Sequence, residues 1–153
     1  MTAAIRLARP TEAELVQAVS RAAFVPAYEP IIGTAPRPAL EDYAPRIARG
    51  EVWLLESAAG VVAVLVLESH ADHLLVYSIA VLPDHQRQGL AHRLLAFAEQ
   101  HARRTSQSEI RLYTNDRMTQ NLALYRSCGF LETGRRPHPT RGGITLVDMA
   151  KRL

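Results

Sequence analysis

The sequence predicts a single α+β domain spanning residues 1–153, a mixed β-sheet of about six or seven strands flanked by about four helices. Three observations predict it. The chain has 153 residues, 48% hydrophobic and 22% charged, the size and composition of one domain with its own core. Its apolar pattern runs in the order strands, then strand–helix–strand–helix, then strands. And one long amphipathic helix joins two short apolar strands, which makes those two parallel neighbours through a right-handed crossover.

Residues 5–8 read as the first strand. Pro10 and the Thr11-x-x-Glu14 pair form a capping-box start, and the apolar side Leu15, Val16, Val19 and Ala23 extends a helix over about residues 12–23. Pro26, Pro30, Pro36 and Pro38 then predict a long loop, of a kind that is often functional. Leu40, Tyr43, Ile47 and Ala48 recur at helical spacing up to Gly50, with Pro45 kinking or splitting that helix. Residues 51–56 and 61–68, around the turn-rich Ser57-Ala58-Ala59-Gly60, read as an antiparallel hairpin, and residues 74–82 as a strand stopped by Pro83. Leu90, Leu94, Phe97 and Ala98 mark a helix over residues 90–102, entered at Gly89. A short strand follows at 109–114, then a helix at 117–128 closed by Gly129, and a final strand pair at 130–134 and 144–149.

Several classes are excluded or disfavoured. The longest apolar run, residues 61–67, falls far short of the roughly 20 residues a membrane helix needs, and the N-terminus lacks a basic-then-apolar leader, so no membrane partner is expected. Cys128 is the only cysteine, which excludes an internal disulfide and a four-cysteine metal site and suits a reducing cytoplasm. A formal charge of +3, carried mostly by arginine, suits a small anionic ligand as well as nucleic acid. The basic residues form no clustered helix and interleave with no aromatic platform, so no nucleic-acid partner is expected. His70 and His73 flank only Asp72, too weak a ligand set, and no metal is expected.

The chemistry concentrates in Gln86-Arg87-Gln88-Gly89-Leu90-Ala91, where a strand ends and a long helix begins. A helix N-terminus presents N–H groups without intrahelical partners and roughly half a positive charge, which together suit a pyrophosphate. Gly89 and Ala91 are small enough to let a phosphate approach the main chain.

These residues resemble the GNAT superfamily of acetyl-CoA-dependent N-acyltransferases, whose signature is Gln or Arg, two residues, Gly, one residue, then Gly or Ala. Gln86, Gly89 and Ala91 match it. Ile79-Ala80-Val81-Leu82-Pro83-Asp84 resembles the family's fourth strand. Asn121-Leu122-Ala123-Leu124-Tyr125-Arg126-Ser127-Cys128-Gly129-Phe130 resembles its second signature, a helix with Leu-Tyr followed by Gly-Phe. The likeness covers nearly the whole chain from Ile5 onward.

The resemblance implies acetyl-CoA as co-substrate and a parallel strand pair splayed around it. Main-chain groups of Arg87, Gln88, Gly89, Leu90, Ala91 and His92, with Gln86, would hold the pyrophosphate, helped by the side chains of Arg87 and Arg93. Ala80 and Val81 would pair with the pantetheine arm through a bulged strand end, and an N–H there would act as an oxyanion donor. Asn121 would contact the cofactor, and the Tyr125 hydroxyl would protonate the departing thiolate. Relatives often carry a glutamate base on the fourth strand, where this chain has Leu75 and Tyr77. Deprotonation of the ammonium is therefore expected through water held by Glu68 or Tyr77, with His70 and His73 nearby.

An acceptor site is expected between the proline loop with its following helix and the turn at 135–143. Tyr28, Glu29, Glu41, Asp42 and Tyr43 offer an acidic, aromatic lining for a cation. Arg135, Arg136 and Arg141 could take a carboxylate or phosphate. The expected activity is transfer of an acetyl group to an amine of a small molecule or peptide, by direct attack through a tetrahedral intermediate. The alternative is a catalytically silent acyl-CoA-binding sensor or partner domain, and a homodimer is compatible with either.

Overall fold

The computed structural model describes residues 3–153. The chain order is β1 (Ala4–Leu7), α1 (Ala13–Ile32), α2 (Ala44–Ala48), β2 (Val52–Ser57), β3 (Gly60–Ser69), β4 (Leu74–Val81), α3 (Leu90–Arg104), β5 (Glu109–Asn115), α4 (Thr119–Ser127), β6 (Leu131–Pro137) and β7 (Thr145–Arg152). Seven strands form one sheet in the order β1-β2-β3-β4-β5-β7-β6. Every neighbouring pair is antiparallel except β4 and β5, which the α3 crossover makes parallel.

Two apolar layers enclose the sheet. Val16, Val19, Ala23 and Phe24 of α1 pack with Leu54, Val64, Val66 and Ala80 on one face. Leu94, Leu95 and Ala98 of α3 and Leu122 of α4 pack with Leu65, Val76, Ile110 and Leu112 on the other. Strand β3 lies between the layers and is buried on both sides, which explains its unbroken apolar run.

The proline-rich segment departs from the expected loop. Helix α1 runs through Pro26 and Pro30 to Ile32 and closes at Gly33, whose φ of 78° permits the left-handed cap and whose N–H bonds Glu29 O at 2.8 Å. Both prolines are exposed, so the carbonyls they leave unbonded, those of Ala22 and Pro26, lie on the solvated side. Meanwhile Phe24 and Tyr28, one turn apart, meet edge to face at 5.5 Å on the inner side and hold the helix to the sheet. The helix expected across residues 40–50 is reduced to five residues, because Pro45 occupies its first turn, where a missing N–H costs nothing. Helix α4 likewise starts at Thr119, two residues later than expected.

The capping contact at the first helix also falls elsewhere than expected. Glu12, not Glu14, reaches back to the Arg9 N–H at 2.8 Å, and the same carboxylate takes both guanidinium nitrogens of Arg6 at 2.9 Å. Arg6 outweighs burial and holds the Glu12 carboxyl down at about 2. A depressed folded pKa contributes stability above the ordinary carboxylate range and loses it as pH falls through the folded value. We therefore expect the gap in denaturation midpoint between the parent and Glu12→Gln to be widest above about pH 5 and to close toward pH 2. A gap constant across that range would contradict the ion pair.

Candidate functional site

The parallel pair is short. Only Leu74↔Ile110 and Leu75↔Arg111 are in register; beyond them β4 and β5 part. The β3–β4 ladder shifts at the same place, pairing Val66 with Ser78 and Leu67 with Val76, so that Tyr77 is an extra residue in a bulge. An open cleft of about 1400 Å³ occupies the divergence. Leu82 N–H bonds Val62 O on β3 at 2.9 Å, so by strand alternation the main-chain groups of Ile79 and Val81 turn toward the gap. Val81 O accepts from the Gln86 side chain at 3.0 Å. Ser78 Oγ, buried and lining the cleft, has no hydrogen-bond partner among the described residues. An unpaired sheet edge with an orphan hydroxyl beside it fits an extended, amide-bearing ligand that adds the missing strand.

Gln86, Arg87, Gly89, Leu90, Ala91 and His92 line one end of this cleft, whereas Gln88 does not. Arg87 (φ 62°) and Gly89 (φ 78°) both adopt left-handed backbone, an arrangement that turns nearby N–H groups toward a common anion. Apart from its two neighbours in sequence, no described residue has an atom within 4 Å of where a Gly89 side chain would begin, so the space before it is open. Glycine at 89 thus suits the left-handed backbone and leaves the space before it open. The Arg93 guanidinium is bound to Ala3 O and does not face the cleft.

Tyr125 lines the middle of the cleft, and its hydroxyl has no hydrogen-bond partner among the described residues. Its ring meets Phe130 at 6.2 Å. Burial, reinforced by the Tyr28 phenol and Cys128, pushes its pKa up, so the proton stays on the hydroxyl through the neutral range. Tyr28 accepts from Asn121 Nδ2 at 3.1 Å and lies next to Thr114 Oγ1 without closing a bond of ordinary length. Asn121 and Tyr28 therefore bridge α4 and α1 across the cleft.

The residues expected to serve a base are organised by Arg46, which is buried. Its guanidinium sits 3.8 Å over the Tyr77 ring and bonds Glu68 at 2.6 Å, Glu51 at 3.1 Å, and Glu41. Tyr77 donates its hydroxyl to Glu41 Oε1 at 2.7 Å. Glu41 and Tyr77 line the cleft; Glu68 does not. Burial works to raise Glu68, and Arg46 overrides it, holding the carboxyl below the usual range. His70 bonds Glu68 at 3.2 Å and stacks on His73 at 4.6 Å, and neither ring reaches the cleft.

Other expected residues lie elsewhere. Tyr43 is fully buried in the α1 layer, its hydroxyl donating to Pro38 O and its pKa pushed up to about 12 by burial. Ala80 is buried in the same layer with its side chain away from the cleft. Arg135 is exposed and paired with Glu132 at 3.0 Å. The next residue points in: Arg136 lies 5.1 Å over the Tyr113 ring and bonds both oxygens of Asp148, at 2.9 and 3.1 Å. Strand alternation allows only one of the two arginines to face the cleft. Ser78, Tyr113 and His138 also line it; His138 lies in the turn expected to border the acceptor, while nothing in their sequence context marked Ser78 and Tyr113.

Residues 48–132 match the family model described as Acetyltransferase (GNAT) domain. No curated protein matches the sequence significantly. Among solved structures, the ribosomal-protein-S18-alanine N-acetyltransferase from Escherichia coli superposes with a TM-score of 0.78 at 22% identity, over 99% of this chain and 94% of that one. Ard1 from Thermoplasma volcanium gives 0.80 at 17% identity, over 100% and 99%. The paia N-acetyltransferase from Thermoplasma acidophilum, crystallised with coenzyme A, gives 0.75 at 16% identity, over 100% of both chains. At such identities the likeness speaks for the fold.

Proposed function

Because the chain belongs to the GNAT acetyltransferases, we propose that it transfers the acetyl group of acetyl-CoA to an amine of a small molecule or peptide, by direct attack through a tetrahedral intermediate. The observation that carries this reading is the meeting of three features in one cleft: the unpaired β4 edge, the left-handed turn at Arg87 and Gly89, and the unbonded Tyr125 hydroxyl.

The bound thioester supplies an activated acyl group. The chain's own groups then have separate tasks. N–H groups of the turn and the first residues of α3 hold the pyrophosphate. The main-chain edge at Ile79 and Val81, unpaired with β5 though Val81 O takes the Gln86 side chain, aligns the pantetheine, with an N–H available for the developing oxyanion, a contact worth roughly 3 kcal/mol in the transition state. Tyr125 holds a proton at its hydroxyl for the departing thiolate. An acceptor enters as an ammonium, and its proton leaves along water beside the Tyr77–Glu41 pair. Neither Glu41 oxygen is free, since Tyr77 holds one and Arg46 the other, which favours a shared path over one dedicated base. Glu68 acts at a remove, by anchoring Arg46.

Thiol release from acetyl-CoA with a panel of amines tests the activity directly. A melting shift with coenzyme A but no release with any amine would identify a silent binding domain. For the shared path we expect Glu41→Gln and Tyr77→Phe each to lose about 3- to 30-fold, and the rate at low acceptor concentration to climb close to tenfold per pH unit below the amine pKa near 10. Glu68→Gln, His70→Ala and His73→Ala should lose no more than that. A single variant that lost over a thousandfold and erased an ionisation from the profile would make that residue the base.

A further inference from the structure

The cleft carries an imbalance of charge away from the glycine turn. Among the described residues, Glu41 is the one carboxylate that lines the cleft, and both its oxygens are engaged by Tyr77 and Arg46. Around the same acceptor end stand Arg37, Arg136, Arg141 and His138. Arg136 lies 5.1 Å over the Tyr113 ring of β5, whose phenol also feels Glu68, Arg37 and Arg46. Arg136 is partly neutralised by Asp148, and Arg37 only grazes Glu41, at 4.0 Å. The Arg141 guanidinium has no carboxylate partner among the described residues.

The turn that carries Arg141 is built rather than loose. His138 N–H bonds Ile144 O at 2.8 Å, and the Arg117 side chain bonds Gly143 O at 3.1 Å. His138 Nδ1 accepts the main-chain N–H groups of Thr140 and Arg141, each at 3.1 Å. A ring nitrogen that accepts carries no proton, so the neutral ring bears its hydrogen on Nε2, as a donor. Burial and then the guanidiniums of Arg141 and Arg136 lower the His138 pKa, in keeping with a neutral donor set among cations. Several guanidiniums, of which Asp148 fixes that of Arg136, with a neutral N–H among them form a donor set suited to the planar or tetrahedral oxygens of an acid group.

Resting on the transferase reading above, we propose that the acceptor is an amine that also carries an acid group, a carboxylate or phosphate held by Arg141, Arg37, Arg136 and the His138 Nε2–H. Its amino end would then lie toward Glu41 and Tyr77, the aromatic and acidic wall. The arginines with His138 and the Glu41–Tyr77 pair would thus read opposite ends of one molecule, Arg37 reaching over from the Glu41 side.

The test compares matched pairs that differ only in the acid group: L-phenylalanine with phenethylamine, 4-aminobutanoate with butylamine, and O-phosphoethanolamine with ethanolamine. Binding is measured by calorimetry on the coenzyme A-loaded protein, so the result does not depend on turnover. At least one acid-bearing member should bind about 10- to 100-fold tighter than its neutral twin, and the pair that responds separates carboxylate from phosphate. Arg141→Ala should collapse that ratio toward one, Arg141→Lys should restore part of it, and Arg37→Ala on the opposite wall should lower it as well. Equal binding within every pair, absence of binding by all six compounds, or a ratio that survives Arg141→Ala would overturn the proposal. Thiol release from acetyl-CoA with the neutral amines is scored separately: release without acid preference defeats only the anion subsite, and acid preference without release defeats only the transferase reading.

Discussion

Gly89→Glu is expected to reduce coenzyme A affinity about 100-fold or more in a protein that still folds. Two causes act together. The residue needs a φ of 78°, which costs a non-glycine side chain roughly 1 kcal/mol, and the added carboxylate stands at the helix N-terminus where the pyrophosphate must sit. Folding survives because the side chain would meet no atom of the chain at its base. Gly89→Asn separates the causes, since asparagine tolerates left-handed backbone and brings no charge, so it should lose far less. Calorimetry on both folded variants decides; unchanged affinity in Gly89→Glu would remove the anion cradle.

Tyr125→Phe should cut turnover by roughly 10- to 1000-fold while acetyl-CoA affinity changes little, because only the proton donor to the leaving thiolate is removed. A thiolate with a pKa near 8.5 can depart unaided at alkaline pH, so the deficit should shrink there. The ring itself is retained, and with it the contact to Phe130, so the variant should melt close to the parent. Steady-state rates across pH with product-thiol detection provide the measurement. Turnover within twofold of the parent would assign Tyr125 to packing.

How much of this was legible before the structure depends on the reach of each signal. The two signature segments are local: a glycine that must sit left-handed before a helix, and a tyrosine four residues ahead of Gly129, can be recognised without knowing what surrounds them. The crossover was legible for the same reason, since a helix between two short strands dictates the parallel pair. Residues whose placement depends on distant partners were not. Pro26 and Pro30 signal a break, yet their exposed positions and the inward Phe24–Tyr28 contact let α1 continue. The bulge that leaves Tyr77 unpaired has no signature at all, and it decides which side chains of β4 meet the cleft. Glu41 comes within 2.7 Å of Tyr77 from 36 positions away, beyond any periodicity argument. Arg135 and Arg136 are indistinguishable as neighbours until the β6–β7 register turns one out and one in.

The two-pair seam between β4 and β5 has a consequence for how the molecule yields. Each side of it closes its own ladders, β1 to β4 on one hand and β5, β7 and β6 on the other, so the halves are joined by two rungs, the α3 crossover and the apolar layer beneath it. Opening along that line ruptures few backbone bonds, which makes it the place for a sub-global excursion detectable as amide exchange well short of complete unfolding. A ligand lying along the vacant β4 edge would add rungs where they are fewest, and by mass action its binding free energy would enter the cooperative stability of the whole sheet. The edge proposed to take the donor would thus also be the line along which the unliganded fold opens first.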